Sequence, residues 1–137
     1  MKYAIKLHVN TLFLLDEQCL DFLRVEGREV DSVYIREIHL EISKKITSIL
    51  VKRKELQYEF DNCWDQKDRN KIVKRKERLK EVTLRLQQRH VTCLDALLCR
   101  VKRTFADIHF EEYGYKLVWD QVKNLTGQIK ILFQHEK

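Results

Sequence analysis

Residues 52–80 read KRKELQYEFDNCWDQKDRNKIVKRKERLK, and two long helical patterns meet within this stretch. Leu56 and Phe60 end one run of apolar residues spaced three and four apart, and Ile72 begins the next. Polar residues interrupt the pattern between the two runs. We therefore predict two antiparallel helices joined by a tip at 63–68.

Both helices extend well beyond the tip. The upstream helix begins near Asp31 or Ser32, either of which is a good N-cap residue. Its apolar stripe is too long for any strand, and it comprises Ile35, Ile38, Ile42, Ile46, Ile49, Leu56, Phe60 and Cys63. The downstream helix is predicted over 70–112, a length typical of a coiled-coil arm. Its stripe comprises Ile72, Leu79, Val82, Leu86, His90, Leu94, Leu97, Val101, Phe105 and Ile108.

The segments outside these two helices leave alternatives open. A first helix is predicted over 10–25, and Gly27 follows its last apolar residue as a stop signal. Apolar and polar residues alternate over 2–9, which indicates a half-buried strand, although these residues can also extend the helix backward. At the other end we favour one helix over 116–135. The alternative is a helix over 116–125 followed by a short strand that would pair with the N-terminal one. We find no internal repeat.

These patterns predict a mainly α protein, an antiparallel helical bundle with a long central helical hairpin and optional short β-strands at the termini. The 137 residues include no proline and only three glycines. That composition argues against turn-rich all-β folds and against the glycine-rich loops of parallel α/β folds. We expect one helical domain over 1–137, with 52–78 as a projecting basic arm.

Positive charge is concentrated in and around this arm. The chain carries a formal net charge of +6, and residues 44–89 contain 15 basic against seven acidic side chains. In the predicted register, three basic residues at 52–54 face three more at 74–76. Such clusters indicate a site for an anionic partner; the alternative, which we favour, is a solvated arm whose long side chains extend across the seam. The candidate binding residues are Lys52, Arg53, Lys54, Arg69, Lys71, Lys74, Arg75, Lys76, Arg78 and Lys80.

Aromatic residues lie at the tip of the arm. Tyr58 and Trp64 are candidates for stacking on single-stranded bases or for anchoring a protein interface. The alternative, which we favour, is that Tyr58 and Phe60 pack inside the hairpin and Trp64 caps its end.

The sequence contains no pattern that is typical of an active site. Glycine-rich phosphate loops and the motifs of hydrolases and metalloproteases are absent, so we predict no catalytic residues, no cofactor and no small-molecule substrate. His90 and Cys93 share a helix face, but a structural zinc site needs four ligands, and we predict no metal site. The four cysteines lack the spacing of a disulfide scaffold, which favours an intracellular protein of cytoplasm or nucleus. No run approaches the about 18 apolar residues of a membrane span.

The leading hypothesis is a non-enzymatic helical subunit of a larger assembly, which acts as a protein–protein interaction or scaffold module. The partner would be a second copy or another protein, and Val91 and Leu98 are predicted to face it. The alternative is a nucleic-acid-binding protein that uses the basic arm as an electrostatic clamp. The hypothesis of a partner depends on apolar residues outside the main stripes, which a four-helix bundle need not bury: Val30, Val33, Val51, Val73, Leu84, Val91 and Leu98.

Overall fold

The computed structural model describes residues 2–25 and 31–135 of the chain. Within these residues the chain forms, in order, β1 (Lys2–His8), α1 (Val9–Val25), α2 (Asp31–Asp61), α3 (Gln66–Arg78), β2 (Glu81–Gln87), α4 (Gln88–Thr104), α5 (Asp107–Glu112) and α6 (Tyr115–His135). The prediction of a mainly helical bundle is confirmed. Gly27, the predicted stop signal of the first helix, lies outside the described residues. So does Val30, one of the apolar residues outside the main stripes.

The two strands form an antiparallel sheet. Ile5 lies opposite Leu84, and Leu7 lies opposite Val82. These four side chains are buried in the core of the bundle, whereas the residues that alternate with them are mostly exposed. Since one face of the sheet is covered by helices and the other is open to water, the alternating pattern is the expected one. The strand predicted over 2–9 is confirmed, but its partner is an internal strand.

The single helix predicted over 70–112 is wrong, because the structure divides it into α3, β2, α4 and α5. Two patterns overlap in this region: Val82 and Leu86 fit helical spacing, whereas Val82, Leu84 and Leu86 alternate as in a strand. The strand prevails because β1 pairs with β2 along its whole length and because the sheet buries all three residues at once.

The chain contains a structural repeat that we did not find in the sequence. Each strand is seven residues long and passes directly into a helix of 17 residues, as β1–α1 and as β2–α4. Ile5 pairs with Leu84, which is its own counterpart in the second unit, so a local twofold axis passes between them. The buried positions also correspond: Leu12 with Val91, Leu15 with Leu94, Cys19 with Leu98 and Phe22 with Val101.

The hairpin predicted between the two central helices is confirmed. α2 is 31 residues long and ends at a turn over 62–65. Asp65 then caps α3, because its carboxylate accepts a hydrogen bond from the backbone N–H of Lys67 at 3.0 Å. α3 packs on α2, and Leu56 and Ile72 are buried in this hairpin. The single-domain organisation and the projection of 52–78 from the bundle stay predictions.

One helix, α6, occupies the C-terminal region and continues through Gly127, as favoured above. Gly114 precedes it with φ at 81°, in the left-handed region that favours glycine. The Thr11 hydroxyl lies beside Gly114 and donates a hydrogen bond to the carbonyl oxygen of Tyr113 at 2.8 Å. This contact ties α1 to the turn between α5 and α6.

α4 lies at the centre of the bundle, in contact with α1, α2, α5, α6 and both strands. Val91 and Leu98 on this helix are 0% exposed and belong to the chain's own core. The prediction that these two residues face a partner is therefore wrong. They are off the main stripe of α4, but neighbours surround α4 on more sides than a simple up-down bundle provides.

Candidate interaction surface

The basic residues of the hairpin divide into two groups. The inner group, Arg69, Arg75 and Lys76, is engaged between the helices. The Arg69 guanidinium lies 4.2 Å from the centre of the Phe60 ring, and the Arg75 guanidinium lies 3.1 Å from a carboxylate oxygen of Glu59. The Lys76 ammonium donates a hydrogen bond to the side-chain carbonyl of Gln57. These three cations have partners within the hairpin, although the Arg75 side chain is still 56% exposed.

These contacts also correct the register predicted for the hairpin. Arg75 and Lys76 reach Glu59 and Gln57, about one turn nearer the tip than the basic residues at 52–54. Electrostatics favours the observed register, because it replaces a contact between like charges with an ion pair and a hydrogen bond from the Lys76 ammonium to a neutral amide. The two triple-basic segments therefore do not oppose each other directly.

The other candidate binding residues, three on α2 and Lys80 after α3, differ in their exposure and in their neighbours. Lys52 lines a shallow groove of about 330 Å³ together with two carboxylates, Glu55 and Glu59, and two further cations, Arg75 and Arg78. Arg53 is half-buried and Lys54 is exposed. Lys80 lies in the turn between α3 and β2, where its carbonyl oxygen accepts a hydrogen bond from the Val9 N–H at 2.7 Å.

The outer group forms one continuous row on α3, which we call the outer basic row: Lys67, Lys71, Lys74 and Arg78. Their spacing of four, three and four places them on one face of the helix, opposite the buried Ile72. All four are exposed, and none forms an ion pair with a described residue. Lys67 was not among the candidates, although its spacing from Lys71 would have identified it. The row therefore presents positive charge to solvent, and its last member, Arg78, also lines the groove that contains Glu55 and Glu59.

The tip of the hairpin exposes a large aromatic surface. Trp64 lies in the turn between α2 and α3 and is 95% exposed, and Tyr58 is 72% exposed. Phe60 alone packs inward, beneath Arg69. The favoured alternative, in which Tyr58 packs inside and Trp64 caps the end, is therefore wrong. An indole in water is unfavourable, so Trp64 and the outer basic row form the candidate interaction surface.

His90 has a structural role in the body of the protein. The backbone N–H of Gln87 donates to His90 Nδ1 at 3.3 Å, so the ring proton is on Nε2, which donates to a carboxylate oxygen of Glu37 at 2.5 Å. Arg89 also donates to this oxygen at 3.3 Å. Both ring nitrogens of His90 are thus engaged, and the bond from Nε2 links α4 to α2. Among the described residues, no three His, Cys, Asp or Glu side chains come together as a metal-binding group.

This contact predicts a pH dependence of stability. The hydrogen bond from His90, with the nearby Arg89 charge, lowers the pKa of the Glu37 carboxyl. A carboxyl with a lowered pKa in the folded state stabilises the fold above its unfolded-state pKa of about 4.3, and this contribution is lost as pH falls through the lowered value. In urea unfolding, Glu37→Gln should therefore be less stable than the wild type at neutral pH, and the difference should shrink in acid. Glu41→Gln, which alters an exposed pair with Lys44, serves as the control. A difference for Glu37→Gln that is constant with pH would contradict the assignment.

None of the helices within the described ranges combines the length and apolarity required to cross a membrane. Comparisons of the chain with protein-family profiles, with curated proteins and with solved structures find no match.

Proposed function

We propose that this protein is a non-enzymatic helical interaction module, a subunit of a larger assembly that contacts its partner through the tip and outer face of the hairpin. The observation that carries the proposal is the exposure of Trp64 next to the outer basic row. Trp, Tyr and Arg are the residues that most often dominate binding energy at protein interfaces. Trp64 would supply the apolar anchor, and the row would select a partner with an acidic surface.

The inner and outer basic residues of the hairpin have different surroundings, and this difference supports the proposal. The inner cations are held by Phe60, Glu59 and Gln57, so the hairpin keeps its shape without a partner. Lys67, Lys71 and Lys74 have no such contacts among the described residues. Charges that are already arranged on a formed helix lose less entropy on binding than charges on a disordered segment, and this favours recognition.

A second candidate function is the binding of single-stranded nucleic acid, and the same geometry favours it. An exposed indole beside a row of lysines combines a stacking platform with charges that follow a phosphate backbone. The two candidates differ in their response to salt. Binding to phosphates weakens steeply, with a logarithmic slope close to the number of phosphates neutralised, whereas an aromatic anchor in a protein pocket responds little.

The test reverses the charge of the outer basic row by replacing Lys67, Lys71 and Lys74 with Glu. We expect the variant to lose binding to its protein partner or to the oligonucleotide. Its melting temperature and helicity should stay nearly unchanged, because exposed positions contribute only about half a kcal/mol each to stability. A photoreactive residue at position 64 reports on a protein partner, and a fluorescent single-stranded oligonucleotide reports on nucleic acid.

The matched control replaces Arg103, Lys116 and Lys130, exposed residues outside the hairpin, with the same change in charge. It should retain binding. Cross-linking at position 64 that persists in the lysine variant and is lost in the control would contradict the proposal. Oligonucleotide binding with a steep salt slope, together with an absence of protein cross-links, would select the second candidate.

A further inference from the structure

α2 carries a second apolar stripe that nothing in the described fold covers. Val33, Leu40, Val51 and Tyr58 each expose at least half of their surface, and exposed Thr47 lies between them. At 100° per residue these five positions lie within about 40° of one another. We call them the outer stripe of α2. It extends along about 38 Å of the helix at 1.5 Å per residue.

The outer stripe lies on the side of α2 opposite the core. The buried residues Ile35, Ile42 and Ile49 lie about 180° away from it around the helix axis. α3 packs on the buried side as well, since Leu56 and Phe60 meet α3 there. The outer stripe therefore remains accessible along the body and along the hairpin. Its residues alternate with Glu37, Lys44 and Lys54 in the four-and-three spacing of a coiled-coil seam.

We propose that the outer stripe binds the outer stripe of a second copy of this chain, as an antiparallel pair of α2 helices. The stripe is complementary to itself in one antiparallel register, centred between Lys45 and Ile46. In that register Val33 meets Tyr58 of the second copy, and Leu40 meets Val51 of the second copy. By the twofold symmetry of the pair, each contact occurs twice.

Charge complementarity determines the direction of the pair. The same register places Glu37 opposite Lys54 of the second copy, and Lys44 opposite Thr47. A parallel pair would instead place Glu37, Lys44 and Lys54 each opposite its own copy, which produces three contacts between like charges in the seam. Such contacts are destabilising. The residues of the seam therefore favour the antiparallel arrangement.

The surroundings of Glu37 and the flanks of the seam are compatible with this pairing. Arg89 and His90 both bind Oε2 of Glu37, and Oε1 accepts no hydrogen bond from a described residue, so it is available to Lys54 of the second copy.

Glu41 lies 3.4 Å from the Lys44 ammonium and offsets its charge near the twofold axis. Beside the seam, Arg36 meets Gln57, Tyr34 meets Glu55, and Glu41 meets Ser48, with no pair of like charges.

The dimer would carry one hairpin tip at each end. From the centre between residues 45 and 46 to Asp61 is about 23 Å along the helix, so the two Trp64 side chains lie at opposite ends of the pair. The outer basic row is on α3, on the far side of α2 from the seam, and remains exposed. The inference does not depend on the proposed function of the hairpin, and a monomer could still use the candidate interaction surface.

The mass of the protein in solution tests this inference, by light scattering or sedimentation over a concentration series. We expect a species of twice the 16.7 kDa chain mass to accumulate with concentration. Lys54→Glu replaces two attractions per dimer with two repulsions and should weaken the dimer about tenfold or more. Lys52→Glu is the matched control, because it makes the same change on the same helix outside the seam. Leu40→Glu should abolish the dimer, and Leu117→Glu on α6 should not.

Cysteine cross-linking tests the direction of the pair. In a background with Cys63 and Cys99 replaced by Ser, a mixture of Leu40→Cys and Val51→Cys chains should form the mixed disulfide in preference to either like pair. Cross-linking of Leu40→Cys with itself would indicate a parallel pair and overturn the proposal. A monomeric mass at every concentration, or equal effects of Lys52→Glu and Lys54→Glu, would overturn it as well.

Discussion

Replacing Leu98 with Glu is expected to abolish the folded state of the protein. Leu98 is 0% exposed on α4 and belongs to the apolar core. Truncation to Ala alone should cost about 3 kcal/mol, since it leaves a cavity. A carboxylate at the same place must also be desolvated, and the combined cost is comparable to the about 5–15 kcal/mol that stabilises a typical domain. The measurement is far-UV circular dichroism for Leu98→Glu and urea unfolding for Leu98→Ala.

The control for this prediction is Leu117→Glu, since Leu117 is 71% exposed on α6. Its stability should differ from the wild type by no more than about 0.5 kcal/mol. If Leu98→Glu instead folded with normal helicity and lost only its ability to associate, Leu98 would belong to a partner surface and its placement in the core would be wrong.

Replacing Gly114 with Ala is expected to destabilise the protein by about 2–4 kcal/mol, the sum of two effects. A side chain at φ of 81° is strained, and its Cβ would lie at only 2.4 Å from the Thr11 hydroxyl oxygen. The Thr11 side chain would have to move and give up its hydrogen bond to the Tyr113 carbonyl. The difference in free energy of unfolding is measured by urea denaturation.

Gly127→Ala makes the same chemical change, but we expect it to have the opposite effect on the free energy of unfolding. Gly127 lies within α6, and an added Cβ meets no atom within 4 Å. The substitution should stabilise the protein by about 1 kcal/mol, because Ala loses less conformational entropy than Gly in a helix. Equal destabilisation by both substitutions would contradict the assignment of distinct backbone conformations to the two glycines.

The two repeated strand–helix units differ in the helices that follow them. α2 continues for 31 residues and turns into α3, whereas α6 is 21 residues long. The repeated units form the core together with the buried sides of α2, α5 and α6, and the part that departs from the symmetry supplies the hairpin. The candidate interaction surface lies on this departure, and the outer stripe of α2 extends into it.

The residue types of the candidate interaction surface could be identified from the sequence, but their roles could not. Lys71, Lys74, Arg75 and Lys76 look equivalent in a run of basic residues. Arg75 and Lys76 are nevertheless engaged within the hairpin, because the exact pairing of two helices depends on the packing between them. Whether Trp64 caps the hairpin or extends from it also depends on how closely the helix ends approach, and the sequence does not specify that distance.

The sequence by itself determined the long helix α2 and the tip that joins it to a second helix, and its alternating pattern indicated the N-terminal strand. Regular spacing over thirty residues in α2 reflects backbone hydrogen bonds that form within a few residues of one another. Only the tertiary structure decided that residues 81–87 form a strand, because a strand needs hydrogen bonds from another strand, and β1 lies far away in sequence. The same holds for Val91 and Leu98: a helical pattern shows which face is apolar, but the number of neighbours around α4 is set by how the whole chain packs.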